Sequence, residues 1–163
     1  MHLALGRSAE AIETASAALA IHQVGERQHA GLSAMLLAEA QLQAGDAAQA
    51  VSTATAAIEY SRQALRANLE VQGLGVLARA LIARDGEAGF EAASQALDQA
   101  DGLIRSLGAK TLEPSFLEWQ AALAAAKGDF AARDGLLSRA AKFFDEIGAP
   151  LQAARLRQTQ AVA

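Results

Sequence analysis

Alanine-rich apolar stretches alternate with short polar breaks along this chain, and the breaks recur at a nearly constant interval. They read Leu5-Gly6-Arg7-Ser8, Ala44-Gly45-Asp46-Ala47, Asp85-Gly86-Glu87-Ala88 and Lys127-Gly128-Asp129-Phe130, which puts glycines at 6, 45, 86 and 128. A period of about forty residues is the mark of stacked helical repeats. A second set of glycines, Gly25, Gly108 and Gly148, falls between these breaks. Glycine just past a helix end commonly takes the left-handed capping conformation. No glycine stands near Leu65, so the connection there is either tighter or nearly continuous helix.

These marks predict a helical stub over about 1–5 and helices over about 8–23, 26–44, 46–62, 66–84, 87–107, 114–127, 129–146 and 151–160. Asp46 followed by Gln49 is a capping-box pattern, Asp129 is a good N-cap, and Pro114 suits a first helical turn. Small residues recur at matched distances from the breaks: Ala38, Ala78 and Ala121 before them, and Ala11, Ala50, Ala18, Ala57, Ala93, Ala100 and Ala140 after them. Small residues let the two helices of a hairpin cross closely. Larger apolar residues such as Leu37, Ile58, Leu81, Leu97, Leu123 and Leu137 fill the space between.

The expected fold is all-α, a right-handed solenoid of about four helix-turn-helix units with a terminal helix. The units span about 1–25, 26–65, 66–110 and 111–149 within a single repeat domain, and the terminal helix spans about 150–161. The first unit lacks most of its first helix. The chain therefore reads as a piece of a longer protein, or else as a short protein that opens on a lone capping helix.

Composition narrows the class. Hydrophobic residues make up 52% of the 163, but aromatics only 4%, so alanine carries the apolar content. That favours closely packed helices over a sheet, which would draw on Val, Ile, Tyr and Thr. The formal net charge is −4, and no basic face forms, which argues against nucleic acid as a partner. There is no cysteine, hence no disulfide and no thiolate metal site. No apolar run is long enough for a membrane helix and no signal peptide is visible, so a cytoplasmic location away from membranes is expected.

The order of a small residue, glycine seven later, then alanine five and twelve after that, carried by Ala38, Gly45, Ala50 and Ala57, resembles the tetratricopeptide repeat. Leu37 also matches. The pattern weakens in the third and fourth units, where Arg133 takes an alanine position, and the period is near 41 against about 34 in the standard repeat. Longer alanine-rich repeats of this kind look like the C-terminal helical regions of bacterial class III adenylate cyclases and large ATP-dependent transcriptional activators. The last unit carries that likeness in Gly108-Ala109-Lys110-Thr111-Leu112-Glu113-Pro114, Ala126-Lys127-Gly128-Asp129 and Phe143-Phe144-Asp145-Glu146-Ile147-Gly148-Ala149-Pro150. The resemblance implies a non-catalytic protein-interaction or regulatory scaffold within a bacterial signalling or transcription-regulating protein. Its first helices would line a concave groove. On that register the groove takes Met35, Glu39, Leu42 and Gln43, then Gln72, Arg79 and Ile82, then Ser115 and Glu118.

Signals for chemistry are weak. Gly73-Leu74-Gly75-Val76-Leu77-Ala78 spells a dinucleotide-type GxGxxA, but the strand that should follow is replaced by a helical pattern. Glu26-Arg27-Gln28-His29 matches one arm of a carboxylate-bridged di-metal site, without a second copy. His22 and His29 would share a helical face only without the intervening Gly25. Trp119 and Phe116 share a face and read as core, and Arg133, Arg139, Arg155 and Arg157 read as a solvated face. No catalytic residue, cofactor or metal is predicted. The expected partner is a protein or peptide, or other domains of the parent chain. A homodimerisation module is the alternative, and a small-molecule-binding helical domain a further one.

Overall fold

The computed structural model describes residues 2–25 and 27–161; the side chains of 2–7, 27, 28 and 161 fall outside the description. The described residues form eight α-helices and no strand. They are α1 (His2–Val24), α2 (Arg27–Gln43), α3 (Ala47–Gln63), α4 (Ala67–Asp85), α5 (Phe90–Leu107), α6 (Glu113–Ala126), α7 (Phe130–Glu146) and α8 (Pro150–Ala161). Short 3-10 turns, Gly86–Gly89 and Lys110–Leu112, lead into α5 and α6.

Each helix packs on the next in sequence, and α2 also touches α4, and α4 touches α6. The alternate helices α2, α4 and α6 thus form one layer. The apolar core follows the same order. One cluster joins α2, α3 and α4 through Ala34, Met35, Ala38, Ala54, Ala57 and Val76. A second runs from Ile58 through Leu74, Leu97 and Phe116 to Leu123, and a third joins Leu117, Ala140, Ala141, Ala153 and Leu156. Of the alanines aligned on the breaks, Ala38, Ala50, Ala57, Ala78, Ala93, Ala100, Ala121 and Ala140 are all buried; Ala11 is exposed.

The turns explain the register. Gly45, Gly108, Gly128 and Gly148 all have positive φ, and at each the next residue's N–H reaches back to a carbonyl five residues earlier, as in Asp46 N to Gln41 O at 2.9 Å and Ala109 N to Ile104 O at 3.1 Å. The same closure occurs at 65 without glycine: Leu65 has φ +54° and Arg66 N donates to Ser61 O at 2.8 Å. The connection at Leu65 therefore closes in the same way as the glycine turns, on an unfavourable residue. Asp46 Oδ1 accepts from Gln49 N at 3.1 Å and Asp129 Oδ1 accepts from Ala132 N at 2.9 Å, so both capping expectations hold. Two turn expectations do not. Gly6 lies inside α1, because a single glycine costs a helix only about 1 kcal/mol and the residues on both sides remain good helix formers. Gly25 ends α1 without a left-handed conformation.

Counting from the turn residues Gly25, Leu65, Gly108 and Gly148 aligns the helices that follow. Eight residues on stand Ser33, Gly73, Phe116 and Leu156, all buried. Six and nine residues on, α2, α4 and α6 bury Gly31, Val71 and Pro114, then Ala34, Leu74 and Leu117. In α8 these places hold Ala154 and Arg157, both exposed. The far face of α8 is thus weakly apolar, and water there costs little.

A leucine in the left-handed region costs about 1–2 kcal/mol, and Leu65, 90% exposed, gains no burial in return. Leu65→Gly should therefore raise stability by about 1 kcal/mol after the entropy of glycine in the unfolded chain is counted. In a chain of this length that lifts Tm by about 2–4 °C; a lower Tm would show that the Leu65 turn is not strained.

Candidate partner-binding cleft

The α2, α4 and α6 layer, extended by α8, carries a cleft of about 400 Å³. α2 contributes Glu39, α4 Arg79, α6 Ser115, Glu118, Trp119 and Ala122, and α8 Arg155. Its form follows from how these helices approach. Ten residues past their turns stand Met35 and Gly75; eleven past the next turns stand Val76 and Trp119. Met35 and Val76 share one buried cluster, and a Cβ built on Gly75 would fall within the Trp119 indole. The lack of a side chain at Gly75 lets the ring lie flat on α4 and form one wall of the cleft. Gly73 serves the neighbouring contact, where an added Cβ would sit 3.0 Å from Ile58 Cγ1. Both glycines of the GxGxxA sequence are therefore mid-helix packing positions within α4.

Charges of alternating sign cross the cleft, one from each helix. Arg79 Nη1 donates to both carboxylate oxygens of Glu39, at 3.0 and 2.9 Å, joining α4 to α2. Arg155 Nη2 donates to both oxygens of Glu118, each at 2.9 Å, joining α8 to α6. The order across the layer is Glu39, Arg79, Glu118, Arg155. Glu39 and Arg79 stand fourteen residues past their turns, Glu118 ten and Arg155 seven, so the line slants toward the N-termini of α6 and α8. The two pairs balance to zero charge. Each guanidinium spends one nitrogen on its glutamate. Arg79 Nε and Nη2 make no hydrogen bond to the described residues, and the carboxylates keep further lone pairs.

The structure brings together four of the nine residues assigned to the groove: Glu39, Arg79, Ser115 and Glu118. Met35 is not open to a partner. It is 9% exposed, because the position ten residues past the turn is the one through which these helices touch. Ile82 likewise turns inward and packs against the core between α4 and α5. Leu42 and Gln72 are half-buried and Gln43 is exposed, and none of them lines the cleft. Trp119 packs against the core and Arg155 is solvent-exposed, as expected from the sequence, and both also line the cleft. The mid-helix Gly75 was the available signal for Trp119. Nothing in the sequence paired Arg155 with Glu118, since their contact depends on how α8 folds back.

Other candidates resolve differently. A cavity of about 560 Å³ opens between α5, α6 and α7, lined by Arg105, Lys110, Glu113, Phe116 and Arg139 among others. No groove residue reaches it, and Arg105 is held at 2.7 Å by Asp101 one turn away. Of the other basic residues expected on a solvated face, Arg157 is exposed and pairs with Asp145, whereas Arg133 pairs with Asp134 at 2.7 Å with its side chain only 11% exposed and so is not solvated. His22 and His29 share no helical face, as expected, but meet from different helices. The α1–α2 turn brings their ring centroids to 5.4 Å, and His22 Nδ1 lies 2.8 Å from Ser33 Oγ. Glu26 and the side chains of Arg27 and Gln28 fall outside the described residues, and no group of three or more metal-ligating side chains occurs among the described ones. Nor, among them, is any helix long and apolar enough to cross a membrane. Comparison with family models, curated proteins and solved structures gives no match.

Gly75→Ala should destabilise the fold by about 1–3 kcal/mol, the usual effect of overpacking. It should also shift the emission of Trp119, the protein's one tryptophan. Unchanged emission and stability would mean that the indole does not rest on α4.

Proposed function

We propose that the chain is a non-catalytic protein-interaction scaffold, a right-handed solenoid of tetratricopeptide-like hairpins whose α2, α4, α6 and α8 layer holds a partner peptide or helix. The observation that carries this reading is the cleft itself. Four helices each deliver one charged side chain to it, beside an aromatic wall, while the apolar core lies in clusters behind. Interaction surfaces favour this mix of an aromatic anchor with arginine and satisfied polar groups. The chain-ordered core, with turns of one geometry at 45, 65, 108, 128 and 148, supports the repeat reading. A scaffold of this kind suits a signalling or transcription-regulating parent, in which the partner is a separate protein or another domain.

The test uses peptides selected from a displayed random library on the intact chain, with binding followed by Trp119 emission. Arg79→Glu should weaken selected binders by about tenfold or more, which is about 1.4 kcal/mol. The double exchange Glu39→Arg with Arg79→Glu should restore the ion pair and the stability but not the binding. If Arg79→Glu and Glu39→Arg both leave binding unchanged, the partner surface lies elsewhere.

A further inference from the structure

Neighbouring helices of the α2, α4 and α6 layer meet in one register. Met35 of α2, ten residues past its turn, shares a buried cluster with Val76 of α4, eleven past the next. Gly75 of α4, again ten past, is where Trp119 of α6, again eleven past, lies flat. The position eleven past the turn therefore faces the preceding helix of the layer. In α2 that position is Leu36. Leu36 is 51% exposed, whereas its counterpart Val76 is 6% exposed. Leu32, one turn earlier on the same face, is exposed as well.

α1 is uncovered in the same way. Its Ala11, Ala15 and Ala18 align with Ala50, Ala54 and Ala57 of α3. Those of α3 are buried, Ala54 and Ala57 against Ala34, Met35 and Ala38 of α2. In α1, Ala11 is exposed and Ala15 and Ala18 are half-buried. The free faces of α1 and α2 are thus the two that a helix of the layer covers one unit further on. The opposite end differs, since α8 turns Arg157 and Gln158 to solvent. Helical arrays normally close with a polar outer face, and adjacent exposed leucines mark a contact surface.

The register also states what fits. Against Leu36 stands the position held by Gly75 in α4, where a small residue admits the large Trp119. Glu39 and Arg79 pair fourteen past their turns, so the residue four beyond the small one comes beside Glu39. The Glu39 carboxylate is partly exposed and keeps lone pairs, and a basic residue complements it. A second copy of the chain offers no such helix. Its α4 is enclosed by α3, α5 and α6, and its α8 has Gln158 at the position of the small residue.

We propose that the open edge formed by α2 and α1 docks one amphipathic helix of a separate protein, with a small residue against Leu36 and a basic residue four positions later beside Glu39. This is a second interaction surface, and it rests on the observed helix contacts rather than on the role given to the cleft.

The probe is a synthetic 19-residue peptide with the sequence of α4, Ala67–Asp85, which carries Gly75 and Arg79 in the required register. It is titrated against the intact chain by calorimetry and circular dichroism. The peptide should bind with a gain in helix, as a docked helix does. Gly75→Trp or Arg79→Glu in the peptide, or Leu36→Lys in the chain, should each weaken binding by about tenfold or more. Tryptophan favours helix more than glycine does, so weaker binding by the Gly75→Trp peptide would reflect the contact and not lost helicity. Leu36 is a surface position, so Leu36→Lys should leave Tm unchanged. No binding by the peptide, or binding that Leu36→Lys leaves unchanged, would overturn the proposal. Leu36-dependent dimers of the chain alone in sedimentation would also overturn it, by making a second copy the occupant. If the α4 peptide fails while library-selected peptides still bind through Arg79 of the chain, this inference falls and the cleft stands. If the α4 peptide binds through Leu36 while the library-selected peptides ignore Arg79, the cleft falls and this edge stands.

Discussion

The fold depends on how closely successive helices approach. Two α-helices lie near each other only when the residues between them are small, and this chain spends its alanines and glycines there. Ala34, Ala38, Ala54 and Ala57 are essentially inaccessible in the contact of α2, α3 and α4, and Gly31 meets Ser61 where an added Cβ would lie 2.6 Å from its hydroxyl. The same closeness sets the geometry of the cleft. Glu39 and Arg79 belong to different helices, and their bond at 2.9 Å requires those helices to lie side by side. A bulkier seam would separate the carboxylate from the guanidinium and open the cleft.

Because the core follows chain order, each helix is stabilised mainly by its neighbours, as in quasi-one-dimensional proteins. The two ion pairs of the cleft span alternate helices, α2 to α4 and α6 to α8. The first is half-buried and the second has an exposed arginine, and solvent-accessible pairs of this kind contribute about 1 kcal/mol or less to stability. Their larger consequence is order. Each holds a long, flexible side chain at the mouth of the cleft, which would reduce the entropy cost of binding in the proposed role.

Much of this was legible in the sequence. The glycines at 45, 108, 128 and 148 mark turns, and eight of the ten alanines aligned on the breaks are buried, Ala11 and Ala18 being the exceptions. Gly6 departs from the pattern because a glycine ends a helix only when the chain after it turns back, and here α1 continues through it. Leu65 was the reverse case: the turn was imposed by the packing of α3 on α4, with no residue suited to it. Half of the cleft could be found from the repeat register, which put Glu39, Arg79, Ser115 and Glu118 on one face. Met35 is buried in the seam because the register gives a direction but not the depth at which neighbouring helices meet. Arg155 was invisible because its partner is set by the tertiary fold-back of α8.

The central claim is that small seam residues hold the helices close enough for the cleft charges to pair. It is tested most directly by Ala38→Leu, measured by urea unfolding together with a double-mutant cycle on Glu39 and Arg79. Ala38 is 0% exposed and lies next to Glu39 on α2. The account predicts a loss of about 1–3 kcal/mol in stability despite the added apolar surface. It also predicts that the Glu39–Arg79 coupling, about 0.5–1 kcal/mol in the parent chain, vanishes in the variant. Equal or higher stability with the coupling intact would contradict it.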